Sequence, residues 1–184
     1  MFEIKILDTR KTSFKDIVSK YEQLPEKRKE KANRLQNEAQ KVVCVESYYL
    51  VKEMLKLDKF PDFKTGKFGK PFLENQKHFN ISHSHGVIVV AVSDDEIGVD
   101  IEKKKEISNA LANQICSNEE LEQIGNKDNK NQEIIKLWTK KESLIKLEGK
   151  TIGTDLKTVL KNQENYLFKF FVFEDFEICV CQKK

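Results

Sequence analysis

The sequence predicts an α+β protein in which small antiparallel sheets pack on helices. Two kinds of periodicity point to it. Residues 2–6, 78–84, 87–93, 97–102 and 166–181 alternate apolar with polar side chains or run apolar on both faces, which is the pattern of strands. Residues 37–55 and 133–147 instead carry their apolar side chains on a helical stripe. Two tight turns, His85-Gly86 and Glu174-Asp175, join neighbouring strands into hairpins.

Taken in order, Phe2, Ile4 and Ile6 alternate with Glu3 and Lys5, giving an opening strand that ends near Asp8. A short helix is expected over residues 13–21. Pro25 suits a first helical turn and begins the basic segment from Glu26 to Leu35, whose plain reading is a solvated helix face. Asn37 can cap the longer helix through Val42, Val45, Tyr49 and Leu55. Residues 61–71, rich in Gly, Lys and Pro, read as loop around a short strand over 64–68, with Gly69-Lys70-Pro71 a turn that presents Lys70. In the hairpin that follows, Val87–Ser93 is apolar on both faces and therefore buried, and His83 stands at the hairpin's edge. Ser108 caps a short helix to Ile115. Ser117-Asn118-Glu119-Glu120 is a capping box, which gives Glu120 a structural task at the Ser117 amide. Residues 125–132 read as a polar loop, and Glu133 opens a helix to Leu147 that buries Ile134, Leu137, Trp138, Leu144 and Ile145 and ends at Gly149. Thr151-Ile152-Gly153 reads as another loop, and the aromatics of residues 166–173 read as core.

With 184 residues, the chain can bury a useful core as one domain or two small ones. Thirty-three Lys and Arg against thirty Asp and Glu leave a formal charge of +3, too little to support nucleic-acid binding. The lysines are dense between Glu26 and Lys41 and between Lys136 and Lys150, whereas acids gather from Asp94 to Glu102, a polarity suited to a phosphate-rich ligand meeting a metal. Cys44, Cys116, Cys179 and Cys181 show no C-x-x-C spacing and read as free thiols of a reducing cytoplasm. No apolar run is long enough to span a bilayer, and the N-terminus lacks the features of a signal peptide, so a soluble intracellular protein is expected.

The chemistry is placed in two segments. Along Ile97-Gly98-Val99-Asp100-Ile101-Glu102 the alternation points Asp100 and Glu102 the same way, and on the helix Glu142 and Lys146 stand one turn apart. Three carboxylates converging beside lysines make an oxygen-lined site for a divalent cation and a phosphate. Either segment alone also reads as an ordinary half-solvated strand or an ordinary helix with an ion pair.

Gly98-Val99-Asp100-Ile101-Glu102 and Trp138-Thr139-Lys140-Lys141-Glu142-Ser143-Leu144-Ile145-Lys146 resemble the G-[IV]-D-[IV]-E and W-[ST]-x-K-E-[AS]-x-x-K motifs of the 4′-phosphopantetheinyl transferases. Phe68-Gly69-Lys70-Pro71 and Phe79-Asn80-Ile81-Ser82-His83-Ser84 resemble that family's G-K-P and F-N-[IL]-S-H-S elements, and the order and spacing are those of the surfactin-synthetase-activating type. The resemblance implies an enzyme of the holo-acyl-carrier-protein synthase kind. It would transfer 4′-phosphopantetheine from coenzyme A to a serine of an acyl or peptidyl carrier protein and release 3′,5′-adenosine diphosphate. It also implies Mg²⁺, or Mn²⁺ in its place, on Asp100, Glu102 and Glu142, with Glu142, Lys146 and Glu120 as catalytic groups. Coenzyme A contacts would come from Lys27, Lys31, Lys41, Lys70, Pro71, Ser82, His83, Lys141 and Lys146, Lys41 standing where many relatives carry Arg. The implied fold is a pseudo-dimer of two similar halves, residues 1–96 with the coenzyme A phosphate contacts and residues 97–184 with the metal site and catalytic helix, working as a cytoplasmic monomer. Two rivals keep part of the pattern: a non-catalytic coenzyme A or nucleotide-binding module, and a nucleic-acid binder using the basic helix.

Overall fold

The computed structural model describes residues 1–66, 68–125, 127–150 and 155–184. In chain order the elements are β1 (Phe2–Asp8), α1 (Val18–Glu22), α2 (Glu26–Asn33), α3 (Glu38–Met54), β2 (Lys64–Thr65), β3 (Pro71–Phe72), β4 (His78–Ser84) and β5 (Val87–Ser93). They continue with β6 (Ile97–Lys103), α4 (Asn109–Ile115), α5 (Asn118–Gly125), α6 (Lys130–Glu148), β7 (Tyr166–Phe173) and β8 (Phe176–Lys183). The loop expected at Thr151-Ile152-Gly153 lies outside the described residues.

The strands form two three-stranded antiparallel sheets, ordered β1-β5-β4 and β6-β8-β7. Each sheet thus has the same plan, with its last strand in the middle, flanked by its first and its penultimate. β5 occupies the centre of the first sheet because it is apolar on both faces. Val87, Val89 and Ala91 face the second sheet and pack with Ile97, Val99, Ile101, Phe176, Ile178 and Val180. Ile88, Val90 and Val92 face the other way, onto Val43, Leu50 and Val51 of α3. On the far side of the second sheet, Leu144 and Leu147 of α6 pack against Cys181. The layers therefore run α3, first sheet, second sheet, α6, and burial of the two inner sheet faces supplies the main hydrophobic drive.

Local chemistry explains most element ends. Asn37 accepts from the Gln40 amide at 3.3 Å, and Ser108 accepts from the Leu111 amide at 3.3 Å, so both caps act where their residue types suggest. Gly149 ends α6 at φ 62°, the left-handed conformation that glycine adopts without a Cβ penalty. His85 and Gly86, at φ 47° and 80°, make the two-residue hairpin turn between β4 and β5. All four cysteines are free and buried.

Four boundaries or faces differ from the sequence expectation. The helix expected over 13–21 is split into a 3-10 turn, Phe14–Ile17, and α1. The strand expected over 64–68 stops at Thr65, because the Gly66 amide bonds to the Lys70 carbonyl at 2.9 Å and closes a turn. α6 begins at Lys130 and so takes in residues read as loop; Gln132 in its first turn is held by Glu177 of β8 at 3.0 Å. The aromatics of β7 are not wholly core. β7 is an edge strand, and Leu167, Phe170 and Val172 remain exposed.

One close approach sets α6 on the second sheet. A Cβ at Gly98 would stand 2.1 Å from the Ser143 carbonyl oxygen and 2.5 Å from the Leu147 amide nitrogen, so only glycine lets the helix backbone lie on β6. Beneath the helix, buried Thr139 and Ser143 return their hydroxyls to the Ile135 and Lys140 carbonyls at 2.8 and 2.7 Å, which leaves small side chains at the joint and no unpaired hydroxyl. Gly98→Ala is expected to lower stability by about 3 kcal/mol, the upper end of the usual cost of overpacking, since backbone has to move to admit the methyl group. Chemical denaturation of the variant measures this, and an unchanged unfolding midpoint would contradict the close packing.

Candidate active site

Because Gly98, Asp100 and Glu102 share one face of β6, the helix seated on Gly98 brings Glu142 and Lys146 toward the two acids. A second strand completes the site. β4 is an edge of the first sheet, β6 an edge of the second, and they meet through side chains at a nearly constant sequence offset. The Val99 amide donates to Asn80 Oδ1 at 2.8 Å, Ser82 Oγ donates to Asp100 Oδ1 at 2.9 Å, and Ser84 Oγ donates to Glu102 Oε2 at 3.4 Å. Asn80 thereby satisfies an edge-strand amide that would otherwise be buried unpaired.

Lys146 reaches across this seam. Its Nζ donates to Asp100 Oδ1 at 2.6 Å and to Ser82 Oγ at 2.7 Å, so residues from three elements form one closed set of hydrogen bonds. Asp100 is 2% exposed, and its other oxygen, Oδ2, has no hydrogen-bond partner among the described residues. The neighbouring acids show the strain of confined negative charge. Glu102 is pushed up from 4.5 to about 7, by burial first and then by the Asp100 carboxylate. Glu142 is also raised, by burial and then by Asp100, while Lys146 and a hydrogen bond with Trp138 act in the opposite direction. His83, on the opposite face of β4 from Ser82, has a ring partly open to solvent but crowded by protein. Partial burial and then the ammonium groups of Lys146 and Lys31 hold its imidazole below the ordinary range.

The structure thus brings Ser82, His83, Asp100, Glu102, Glu142, Lys146 and Lys31 into one neighbourhood. Among the described residues, no group of three or more His, Cys, Asp or Glu side chains is arranged as a finished metal cage. The expected convergence of Asp100, Glu102 and Glu142 is therefore a neighbourhood of carboxylates with Lys146 set between them. Its chemistry still fits a hard divalent cation: an orphaned buried carboxylate oxygen, flanked by two acids whose charge is disfavoured, is an oxygen donor set short of positive charge.

Other expected contacts are placed elsewhere. Lys141 is fully buried and donates to the Ile115 carbonyl at 2.9 Å and to Glu120 Oε2 at 2.6 Å, so its ammonium does not face a ligand. Glu120 is held by Lys141 and by the Ser117 amide at 2.8 Å, the capping box read from the sequence. Lys70 is turned inward onto two backbone carbonyls, those of Ile97 and Leu147, instead of being presented by its turn. Pro71 opens the short strand β3 opposite Thr65. Lys27 is exposed, 3.8 Å from Asp62, and Lys41 lies in the first turn of α3. Asn80 and Ser84 were missed as site residues although the alternation of the F-N-I-S-H-S element puts them on the face of Ser82. Trp138, expected in the core, is half-buried and bonds to Glu142 one turn on, a link that the i,i+4 spacing could have suggested.

Two outcomes follow from this electrostatics. A carboxyl group raised in the folded protein binds its proton more tightly there than in the unfolded chain, so Glu102 should weaken stability as pH rises from 4.5 to about 7 and add no further slope above that. Glu102→Gln should flatten this part of the profile and exceed the wild type in stability at pH 8, as read by thermal unfolding across pH; a variant profile parallel to the wild type would contradict the assignment. Glu120→Ala should lose about 3 kcal/mol in denaturant unfolding, because it leaves the Lys141 charge buried and unpaired. A fully stable variant would show that the pair has no structural role.

Comparison with known proteins comes to the same residues. The profile of the 4′-phosphopantetheinyl transferase superfamily matches residues 96–182. The chain is 41% identical over 98 residues to the 4′-phosphopantetheinyl transferase ffp of Bacillus subtilis, covering 51% of this chain and 44% of that protein. It is 39% identical over 98 residues to Sfp of Bacillus subtilis strain 168, with the same coverage of 51% and 44%. It is 40% identical over 90 residues to gsp of Aneurinibacillus migulanus, covering 48% and 38%. The matched stretch spans less than half the length of these relatives. Over the stretch that carries Asp100, Glu102, Glu142 and Lys146, the chain is similar to the 4′-phosphopantetheinyl transferase superfamily and to relatives of the Sfp-like type.

Proposed function

We propose that the chain transfers the 4′-phosphopantetheine arm of coenzyme A to a serine hydroxyl of an acyl or peptidyl carrier protein. The observation that carries this reading is the Ser82–Asp100–Lys146 set, lodged beside two acids of raised pKa at the seam between the sheets. The serine oxygen attacks the phosphorus that bears the arm. A new phosphorus–oxygen bond forms, the diphosphate bond on the far side breaks, and 3′,5′-adenosine diphosphate leaves. Lys146, with two of its three N–H donors on Asp100 and Ser82, keeps one to hold a phosphoryl oxygen as charge moves to the leaving group, and Ser82 orients it. Glu142 is the carboxylate assigned to take the serine proton, since Glu120 is engaged by Lys141. Mg²⁺, or Mn²⁺, on Asp100, Glu102 and Glu142 would neutralise diphosphate charge when bound. Asp100 Oδ2 is the oxygen left free for it. Lys31 and His83, on the outer side of β4, suit the remaining phosphate of coenzyme A, with Lys27 one turn before Lys31 on α2 and Lys41 in the first turn of α3.

The matching strand order of the two sheets supports a pseudo-dimer of two similar halves, residues 1–96 and 97–184, with coenzyme A across the seam. The protein is proposed to act as a cytoplasmic monomer, and no helix of the described residues is long and apolar enough to cross a membrane. Incubation with coenzyme A, Mg²⁺ and an apo carrier protein, followed by intact-mass analysis, should show the carrier gaining one phosphopantetheine arm. Asp100→Ala and Glu142→Ala should each lower that rate by at least about a hundredfold while remaining folded, and Lys146→Ala should do so with Mg²⁺ binding retained. An unmodified carrier, or variants with wild-type turnover, would overturn the reading; coenzyme A binding without an adduct would leave only a binding module.

A further inference from the structure

We infer that Lys70 is a positioning residue: it pins the last turn of α6 to the first residue of β6 and so sets where Lys146 stands against Asp100. This rests on the transferase reading only for its effect on turnover. Lys70 Nζ lies 3.0 Å from the Ile97 carbonyl oxygen and 3.0 Å from the Leu147 carbonyl oxygen. Ile97 precedes Gly98, and Leu147 is the residue whose amide a Cβ at Gly98 would strike, so the two carbonyls belong to the two sides of the same joint. Lys146 and Asp100 are one and three residues along from them. The carbonyl of Leu147 is also one of the last in α6, where the helix leaves acceptors without intrahelical partners and a cation is favoured.

The surroundings fit a structural cation better than a ligand-binding one. Lys70 is partly buried, its carbon chain passes within 3.9 Å of where a Cβ would stand on Gly149, and burial lowers its pKa. Two of the three N–H donors of its ammonium are engaged by main-chain oxygens at the joint. The loop that carries Lys70 comes from the N-terminal side of the chain, between β2 and β4, whereas both carbonyls belong to the C-terminal side. The contact therefore ties the loop, the strand and the helix together at the point from which the Asp100 and Lys146 side chains extend.

The test uses the full chain and two variants, Lys70→Met and Lys70→Arg. Lys70→Met keeps the length of the side chain and removes the donor, and Lys70→Arg restores donors to the same carbonyls. In carrier-modification kinetics, Lys70→Met should lower kcat by roughly tenfold to a hundredfold, as expected for a shifted reacting group, while KM for coenzyme A stays within about twofold. Lys70→Arg should recover most of the loss. Hydrogen exchange of the amides from Leu147 to Gly149 should accelerate in Lys70→Met and return toward wild type in Lys70→Arg. A rise in KM for coenzyme A with kcat preserved would make Lys70 a phosphate ligand and overturn the inference, as would unchanged exchange. If the wild type modifies no carrier but Lys70→Met still loosens the end of α6, the pin stands and the transferase reading fails.

Discussion

The absence of a side chain at position 98 is the constraint on which the site depends. A helix normally rides on a sheet at a distance set by the side chains between them; here the Ser143 and Leu147 backbone lies directly on β6. That proximity has a functional consequence. Side chains one turn apart on α6, Glu142 and Lys146, come down beside β6 where Asp100 and Glu102 stand, and Lys146 is short enough a reach from Asp100 to bond it at 2.6 Å. A bulkier joint would lift the helix and separate the charges. Thr139 and Ser143, buried and bonded to their own helix, keep the same interface thin.

Two lysines five residues apart on α6 show how position alone divides labour. Lys141 points away from the seam, is fully buried, and has its charge met by Glu120 and a helix-end carbonyl. That arrangement holds α5 to α6 and leaves nothing for a ligand. Lys146 points into the seam and meets Asp100 and Ser82, where one carboxylate oxygen remains unpaired and two further acids resist ionisation. The excess of carboxylate over cation is unfavourable for folding. On the proposed function, it is also what a bound diphosphate with its counter-cation would relieve.

Much of this was legible in the sequence. The alternation in Ile97–Lys103 fixed the common face of Asp100 and Glu102, β5 announced its central place by being apolar on both faces, and Asn37, Ser108, Ser117 and Gly149 marked helix ends by their capping chemistry. What the sequence did not reveal depends on contacts between distant segments. The inward turn of Lys70 requires knowing that the 66–72 loop meets both Ile97 and Leu147. The burial of Lys141 requires α4 and α5 to close over α6, and the exposure of Phe170 and Val172 requires β7 to be an edge strand. Asn80 and Ser84 were within reach of the period-2 pattern, but only the side-by-side passage of β4 and β6 gives that face a partner.

The most direct measurement is a crystal structure of the protein with coenzyme A and Mn²⁺, located by its anomalous scattering. A manganese peak is expected at Asp100 Oδ2, with the diphosphate in the seam between β4 and β6 and within hydrogen-bonding distance of Lys146. Coenzyme A bound away from that seam, or a metal that leaves Asp100 Oδ2 untouched, would contradict it.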